Sequence, residues 1–242
     1  MQPTVFSFEK HQFFRFTCSP GVTCFNACCR NLNQALTPYD VLCLKQFLEM
    51  SSGDFLNRYT EESTGPGTGL PVVSLRFSDA DDLACPFVAD AGCRVYPARP
   101  ASCRSYPLAR GVSRNRETGR LTECWALIRE PHCLGFRNGQ PHTVEEWVDD
   151  QQLATHNRMN DIMLELISRK KQFRPGPLMP FERKRIYTAL YDLDAFRDDP
   201  SYRDSILGAS ADTQSKTGAL DLLLVAMDWV RENVLTPSPR KA

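Results

Sequence analysis

Long apolar runs are missing from this 242-residue chain. The stretch Leu220 to Val230 is too short to cross a bilayer and carries Asp221 and Asp228, so no membrane span is expected. An excess of either charge is missing too. Twenty-nine lysines and arginines balance 29 aspartates and glutamates, and a neutral chain lacks the basic field of a dedicated nucleic-acid binder. The N-terminus, Met1 to Phe16, lacks the unbroken apolar core of a secretory signal, being interrupted by Glu9, Lys10, His11 and Arg15. A cytoplasmic location is therefore expected. No Gly-x-Ser-x-Gly, His-Glu-x-x-His or phosphate-binding glycine loop occurs, so the familiar hydrolase and nucleotide sites have no motif here. Histidine is scarce: His11, His142 and His156 show no ligand pattern, and only His132 stands beside a cysteine.

Cysteine, by contrast, is abundant, with ten in all. Cys18, Cys24, Cys28 and Cys29 fall within twelve residues, and Cys85, Cys93, Cys103, Cys124 and Cys133 follow at wider intervals. No hydrophobic core calls for such density. In an oxidising compartment an even count would suggest disulfides; in a reducing cytosol, clustered thiols bind metal or do chemistry. Cys43 differs. It sits in an apolar stripe with Val41, Leu44, Phe47 and Leu48 and reads as a small core hydrophobe.

The pattern predicts an α+β chain in two parts. Phe6 to Thr17 reads as a strand entering the first cysteine loop. Thr37-Pro38-Tyr39-Asp40 opens a helix that Ser51-Ser52-Gly53 should stop. Val72 to Phe77 and Cys93 to Tyr96 read as strands, Ala101 to Ser105 as a helical turn, and Gly111 to Gly119 as a hairpin or surface loop. Thr143-Val-Glu-Glu146 is a capping box opening a long helix to about Lys171, with Trp147, Leu153, Met159, Met163 and Leu166 or Ile167 inward. Helices are expected again from Phe181 to Phe196 and from Gly218 to Val234. The domains follow: an irregular, cysteine-rich metal-binding part over 1–139, a helical region over 140–235 packing on it, and a disordered tail over 236–242.

Spacing alone does not choose the metal, since neither the ferredoxin run nor the paired Cys-x-x-Cys of zinc ribbons is present. The side chains of adjacent Cys28 and Cys29 should diverge, so that the two thiols serve different partners or one of them is a spare. Between Arg94 and Arg120, seven arginines face one acid, Glu117. Arg94 and Arg104 directly follow cysteines, where a guanidinium would lower thiol pKa values and raise a reduction potential.

Three blocks then stand out together: Cys18…Cys24…Cys28-Cys29-Arg30; Cys85-Pro86-Phe87…Cys93-Arg94-Val95-Tyr96…Arg99-Pro100…Cys103-Arg104…Tyr106-Pro107; and Cys124…Cys133-Leu134-Gly135. They resemble the CxxCxxCC family, the YkgJ-type cysteine-cluster proteins that chelate zinc or iron, over roughly Phe16 to Gly139. The first loop is longer than the family's compact spacing, and Cys43 has no counterpart. The resemblance implies metal ligation by Cys18, Cys24, Cys28, Cys29, Cys85, Cys93, Cys103, Cys124 and Cys133. It implies iron–sulfur or zinc binding, in a protein of the Fe–S oxidoreductase kind. Because all nine candidates are sulfur, one or two iron–sulfur clusters, of the 4Fe-4S type, are expected, in an oxidoreductase or electron-transfer protein with a protein redox partner. Two alternatives stay open: zinc in a structural module, and a protein-modifying enzyme related to the flagellin lysine-N-methylases.

Overall fold

The phenylalanine-rich N-terminus extends as expected, but as two strands rather than one. In chain order the strands are β1 (Thr4–Phe8), β2 (Phe14–Arg15), β3 (Ala35–Leu36), β4 (Thr60–Thr64), β5 (Pro71–Leu75), β6 (Val88–Ala89), β7 (Gly92–Cys93), β8 (Leu108–Arg114), β9 (Leu121–Arg129) and β10 (Pro141–His142). The helices are α1 (Pro38–Phe47), α2 (Ser52–Tyr59), α3 (Ala101–Ser105), α4 (Val144–Asp150), α5 (Ala154–Phe173), α6 (Pro180–Leu190), α7 (Leu193–Asp198) and α8 (Ala219–Asn233). The computed structural model describes residues 3–78, 83–115, 117–202 and 218–236. Most of the expected tail, 237–242, lies outside the described residues. The class is α+β.

The chain divides into two compact units, and the division is discontinuous in sequence. One unit combines the chain up to Leu32 with Phe77–Arg158; the other combines Asn33–Arg76 with the chain from Met159. The boundary expected near Gly139 is therefore not where packing divides the chain. Residues 140–158 go with the cysteine-bearing unit, and 33–76, with Cys43, go with the helices. Every other cysteine falls in the first unit.

That first unit is built on an antiparallel sheet of order β1-β9-β8. Phe6 pairs with Leu127 and Phe8 with Trp125; Leu108 also pairs with Leu127. Of the hairpin or surface loop expected over Gly111–Gly119, the hairpin forms, as the end of a long β8–β9 ribbon closed where the Asn115 amide donates to the Arg120 carbonyl (2.9 Å). β2 and β10 form a separate pair, with His142 opposite Phe14. Phe14, Phe16, Leu108, Trp125, Leu127, Val144 and Trp147 make the core, and Tyr106, Cys133 and Phe136 pack against it. Phe16 meets Tyr106, Phe136 and Trp147 edge-on at 5.5, 5.3 and 5.9 Å. Burying each such ring stabilises the fold by about 1.5–3 kcal/mol relative to exposure. The Thr143–Glu146 capping box forms as expected. The predicted single helix is broken after Asp150, and Gln152 sits in the left-handed region (φ 54°).

The second unit has its own sheet of order β3-β5-β4, with Val73 fully buried between its neighbours. Thr37 and Asp40 cap α1 with a reciprocal box. The Ser51-Ser52-Gly53 stop is also a start: the Ser51 hydroxyl accepts from the Asp54 amide (3.1 Å) and caps α2. α1 buries Val41, Leu42 and Leu44, while Cys43 is half-buried and Phe47 is exposed. Asp194 ties the unit together: its carboxylate accepts from the Ser52 amide (2.7 Å), the Ser52 hydroxyl (2.7 Å) and the Lys45 ammonium (2.8 Å).

Candidate metal centre

Chain folding brings the first cysteine loop beside two later segments. The Thr17 amide donates to the Gly135 carbonyl (3.0 Å), which sets Cys18 next to the Cys133-Leu134-Gly135 turn. This approach needs glycine, since a Cβ at residue 135 would lie 2.6 Å from both the Phe16 ring and the Thr17 carbonyl. Beyond Cys18 the chain turns on itself repeatedly, with amide-to-carbonyl bonds from Val22 to Ser19, Phe25 to Val22 and Ala27 to Cys24. A single 3₁₀ turn, Ala27–Cys29, follows Asn26 in the left-handed region (φ 66°). Cys24 and Cys28 are thus joined by tight turns rather than by α-helix. The Cys24 sulfur accepts from the Leu134 amide at 3.1 Å.

The next cysteine faces another segment. The Cys85 amide donates to the Cys29 carbonyl (2.9 Å), and the Asn31 amide to the Leu83 carbonyl (3.0 Å), so 29–31 run antiparallel to 83–85. The Val88 amide bonds the Cys85 carbonyl, and Val88 in turn pairs with Cys93 across the β6–β7 hairpin. Phe25 seals that hairpin: a Cβ on Gly92 would stand 3.1 Å from its ring, and Gly92 has φ +119°. The Asn26 side chain donates to the Ala89 carbonyl (2.9 Å), fastening the first loop to the hairpin.

The electrostatics report the same neighbours. Burial, then the thiols of Cys28, Cys24 and Cys133, push Cys18 up to about 11. Cys133 is raised by burial and by Cys24 and Cys28, against lowering bonds from Tyr106 and the Gly135 amide. Cys29 donates to Cys28, holding Cys28 down to about 7 and raising its own pKa; burial, Cys28, Cys85 and Cys103 raise Cys29 further. Burial raises Cys85 despite amides of Phe87 and Val88, and raises Cys93 despite that of Val95. Cys18, Cys29, Cys85, Cys93 and Cys133 therefore resist ionisation, and Cys28 does not. A bound metal would reverse that balance by stabilising the thiolates.

Two arginines reach these sulfurs, and they are not the two expected. Arg94 acts on Cys85 and Cys93, as expected, with its guanidinium also donating to the Pro86 carbonyl (2.5 Å). Arg99, which follows no cysteine, acts on Cys18, Cys93 and Cys103 and stacks on Tyr96 at 3.7 Å. Arg104 is buried in another task, donating to the carbonyls of Arg99 (2.9 Å), Gln151 (3.1 Å) and Pro97. Sequence adjacency missed Arg99. The signal that finds it is the Tyr96–Arg99 turn, which folds the guanidinium back.

Cys124 is placed differently. It lies on β9 opposite Gly111, exposed, with its thiol donating to the Gly111 carbonyl (3.6 Å). Strand pleating turns it away from the face that buries Trp125 and Leu127. His132 is exposed.

Among the described residues, no three cysteine, histidine, aspartate or glutamate side chains already converge tightly enough to cage an ion. Holding a metal there would require these thiols to rotate inward. The donor set fits a soft metal or cluster: none of the ten cysteines is joined in a disulfide, and amides of Leu134, Phe87, Val88, Val95 and Gly135 point at sulfur. An orphan group agrees. The Tyr106 hydroxyl is buried against the Cys133 thiol with no partner at good hydrogen-bond geometry, and a metal-bound thiolate would be a strong acceptor for it.

A family model described as "Putative zinc- or iron-chelating domain" matches residues 17–133. No curated protein and no solved structure was found to match the chain. The gathered thiols and this match agree: residues 17–133 are similar to the CxxCxxCC family of zinc- or iron-chelating domains.

Proposed function

We propose that the cysteine-bearing unit holds iron–sulfur chemistry and that the protein transfers electrons to or from a protein partner. The ligands come from Cys18, Cys24, Cys28, Cys29, Cys85, Cys93, Cys103 and Cys133. The observation that carries this reading is a donor set made wholly of sulfur, with backbone amides and the guanidiniums of Arg94 and Arg99 directed at it. Hydrogen bonds to sulfur and nearby positive charge are the means by which a protein sets the potential of a cluster. Sulfur-only sites also suit zinc, whose contribution would be to hold loops that bury little apolar surface. Purification of the full chain without air, with elemental analysis and a visible spectrum, separates the two. Iron, inorganic sulfide and a brown colour that bleaches on reduction are expected. A colourless, redox-silent protein containing zinc would sink the electron-transfer reading and leave a structural metal.

A further inference from the structure

The β1-β9-β8 sheet has two edges, and only one is guarded. β8 carries Arg110 and Arg114, whereas β1, Thr4-Val-Phe-Ser-Phe8, holds neither a charge nor a proline. Charges and prolines are what edge strands use to refuse a further strand. β1 pairs with β9 alone, and among the described residues nothing else hydrogen-bonds to Thr4–Phe8. Alternate residues of an antiparallel strand turn their N–H and C=O away from the partner, so a row of unused donors and acceptors lies along this edge. An open groove of about 440 Å³ follows it, lined in part by Phe6, Phe8, Phe13, Leu127 and Arg129. Phe6 is 45% and Phe13 67% exposed, so apolar surface is left open to water there. One cation stands in the groove. Arg129 is exposed and lies over the rings of Phe6 (5.8 Å) and Phe136 (4.9 Å), and among the described residues no carboxylate pairs with it.

We propose that β1 is a docking edge for an extended segment of an acidic partner protein. The segment adds as a fourth strand, sets an apolar side chain against Phe6 and Phe13, and pairs an aspartate or glutamate with Arg129. Register fixes the spacing of those two side chains. Phe6 pairs with Leu127 and Thr4 with Arg129, and residues two apart on a strand share a face. A strand laid along β1 therefore meets the apolar part of the groove with one residue and Arg129 with the residue two positions away. Strands lie about 4.8 Å apart, so the added strand is about 10 Å from β9. An arginine and a carboxylate side chain span that distance between them over the small side chain of Thr4. The unpaired cation selects this occupant over a second copy of the chain. Two β1 strands related by a two-fold axis would bring Phe6 to Phe6 but supply no acid, since Thr4–Phe8 contains none. The proposal holds whichever metal the cysteines take.

Fluorescein-labelled peptides titrated into the full chain as purified test this by anisotropy. The probes are Ser-Thr-Leu-Thr-Glu-Thr-Ser and its reverse, Ser-Thr-Glu-Thr-Leu-Thr-Ser, because the direction of the added strand decides which order fits. One of the two should bind, and the same peptide with glutamine in place of glutamate should bind roughly tenfold more weakly, the loss expected for one charge-assisted bond. N-methylation of one alternate set of the peptide amides should abolish binding, since the main chain makes the contact. Arg129→Gln should erase the difference between the glutamate and glutamine peptides while keeping the weaker affinity, which also shows the groove to be intact. Arg120→Gln, at an exposed arginine outside the groove, should change nothing. Equal binding of the glutamate and glutamine peptides overturns the proposal without reliance on any variant. So does undiminished binding of both N-methylated sets, or failure of both orders to bind at millimolar peptide. A concentration-dependent dimer in sedimentation that Phe6→Ala dissociates would assign β1 to a second copy of the chain and overturn it as well.

Discussion

The amide of Leu134 lies 3.1 Å from the sulfur of Cys24, joining groups 110 residues apart in the chain. A backbone donor aimed at sulfur is a hydrogen bond that a thiolate ligand can keep. It also makes the Cys133 turn part of the first cysteine loop, with Phe16 and Thr17 as the floor on which the turn rests.

Gly135→Ala should break that floor. The added methyl would sit 2.6 Å from the Phe16 ring and from the Thr17 carbonyl, and one of these atoms is backbone that cannot swing aside. Overpacking of this kind costs about 1–3 kcal/mol. Urea denaturation should show a midpoint lowered accordingly, with metal retention falling further because Cys133 and Leu134 move together. Unchanged stability would mean that the turn is slack.

Arg99 and Arg104 should fail in different ways. Arg99→Gln removes a charge that acts on Cys18, Cys93 and Cys103, and loss of such an outer partner weakens metal binding about 10–100-fold. Arg104→Gln instead strips donors from the carbonyls of Arg99, Pro97 and Gln151. Buried acceptors left unsatisfied cost about 1–3 kcal/mol each, so this variant should lose stability even without metal. Chelator competition and metal-free urea melts distinguish the two; equal metal loss with equal unfolding in both would refute the division.

In the second unit, Asp194 predicts an acid-labile fold. Burial alone would raise its pKa, but the Lys45 ammonium and the Ser52 hydroxyl and amide outweigh it and hold the carboxyl at about 2, below its ordinary 3.8. A depressed folded-state pKa contributes stability that is present above pH about 4 and is lost as pH falls towards 2. Asp194→Asn should cost about 1–3 kcal/mol at neutral pH, from the loss of charge-assisted bonds, and should flatten the acid limb of the stability profile. A variant with the parent's acid limb would show that other carboxylates set it.

Local signals were easy to read where a few adjacent residues decide the outcome. Thr37-Pro38-Asp40 and Thr143–Glu146 cap helices as their chemistry requires, and Ala101–Ser105 makes its short helix between prolines. The turn of the β8–β9 hairpin was legible but the length of its strands was not, because Arg110 and Arg114 interrupt the apolar alternation and the half-buried face of β8 is settled by pairing with β9. The break after Asp150 was hidden too, because the apolar stripe runs through it and only the positive φ of Gln152 marks it. Composition picked out the cysteines as a set. Their grouping depends on backbone bonds spanning tens of residues, and Arg99 depends on a turn, so neither could follow from spacing. The interleaving of 33–76 with the later helices has the same origin: sheet β3-β5-β4 and the Asp194–Ser52 contact are long-range.

Tyr106→Phe separates the metal-free from the metal-bound protein by the sign of its effect. The hydroxyl is buried beside Cys133, burial and that thiol both raise its pKa, and the thiol does not meet it at good hydrogen-bond geometry. A buried hydroxyl poorly matched to its partner costs about 1–3 kcal/mol, so removing it should leave the metal-free protein as stable as before or more so. The ring remains, and with it the edge contact to Phe16 at 5.5 Å. With metal bound, Cys133 is a thiolate and the hydroxyl becomes its donor. The variant should then release metal to a chelator roughly tenfold more readily, as loss of an outer hydrogen bond does elsewhere. Melting curves with and without metal test both signs in one protein. A variant destabilised equally in the two states would place Tyr106 in the core alone, and Cys133 would lose the feature that best marks it as a ligand.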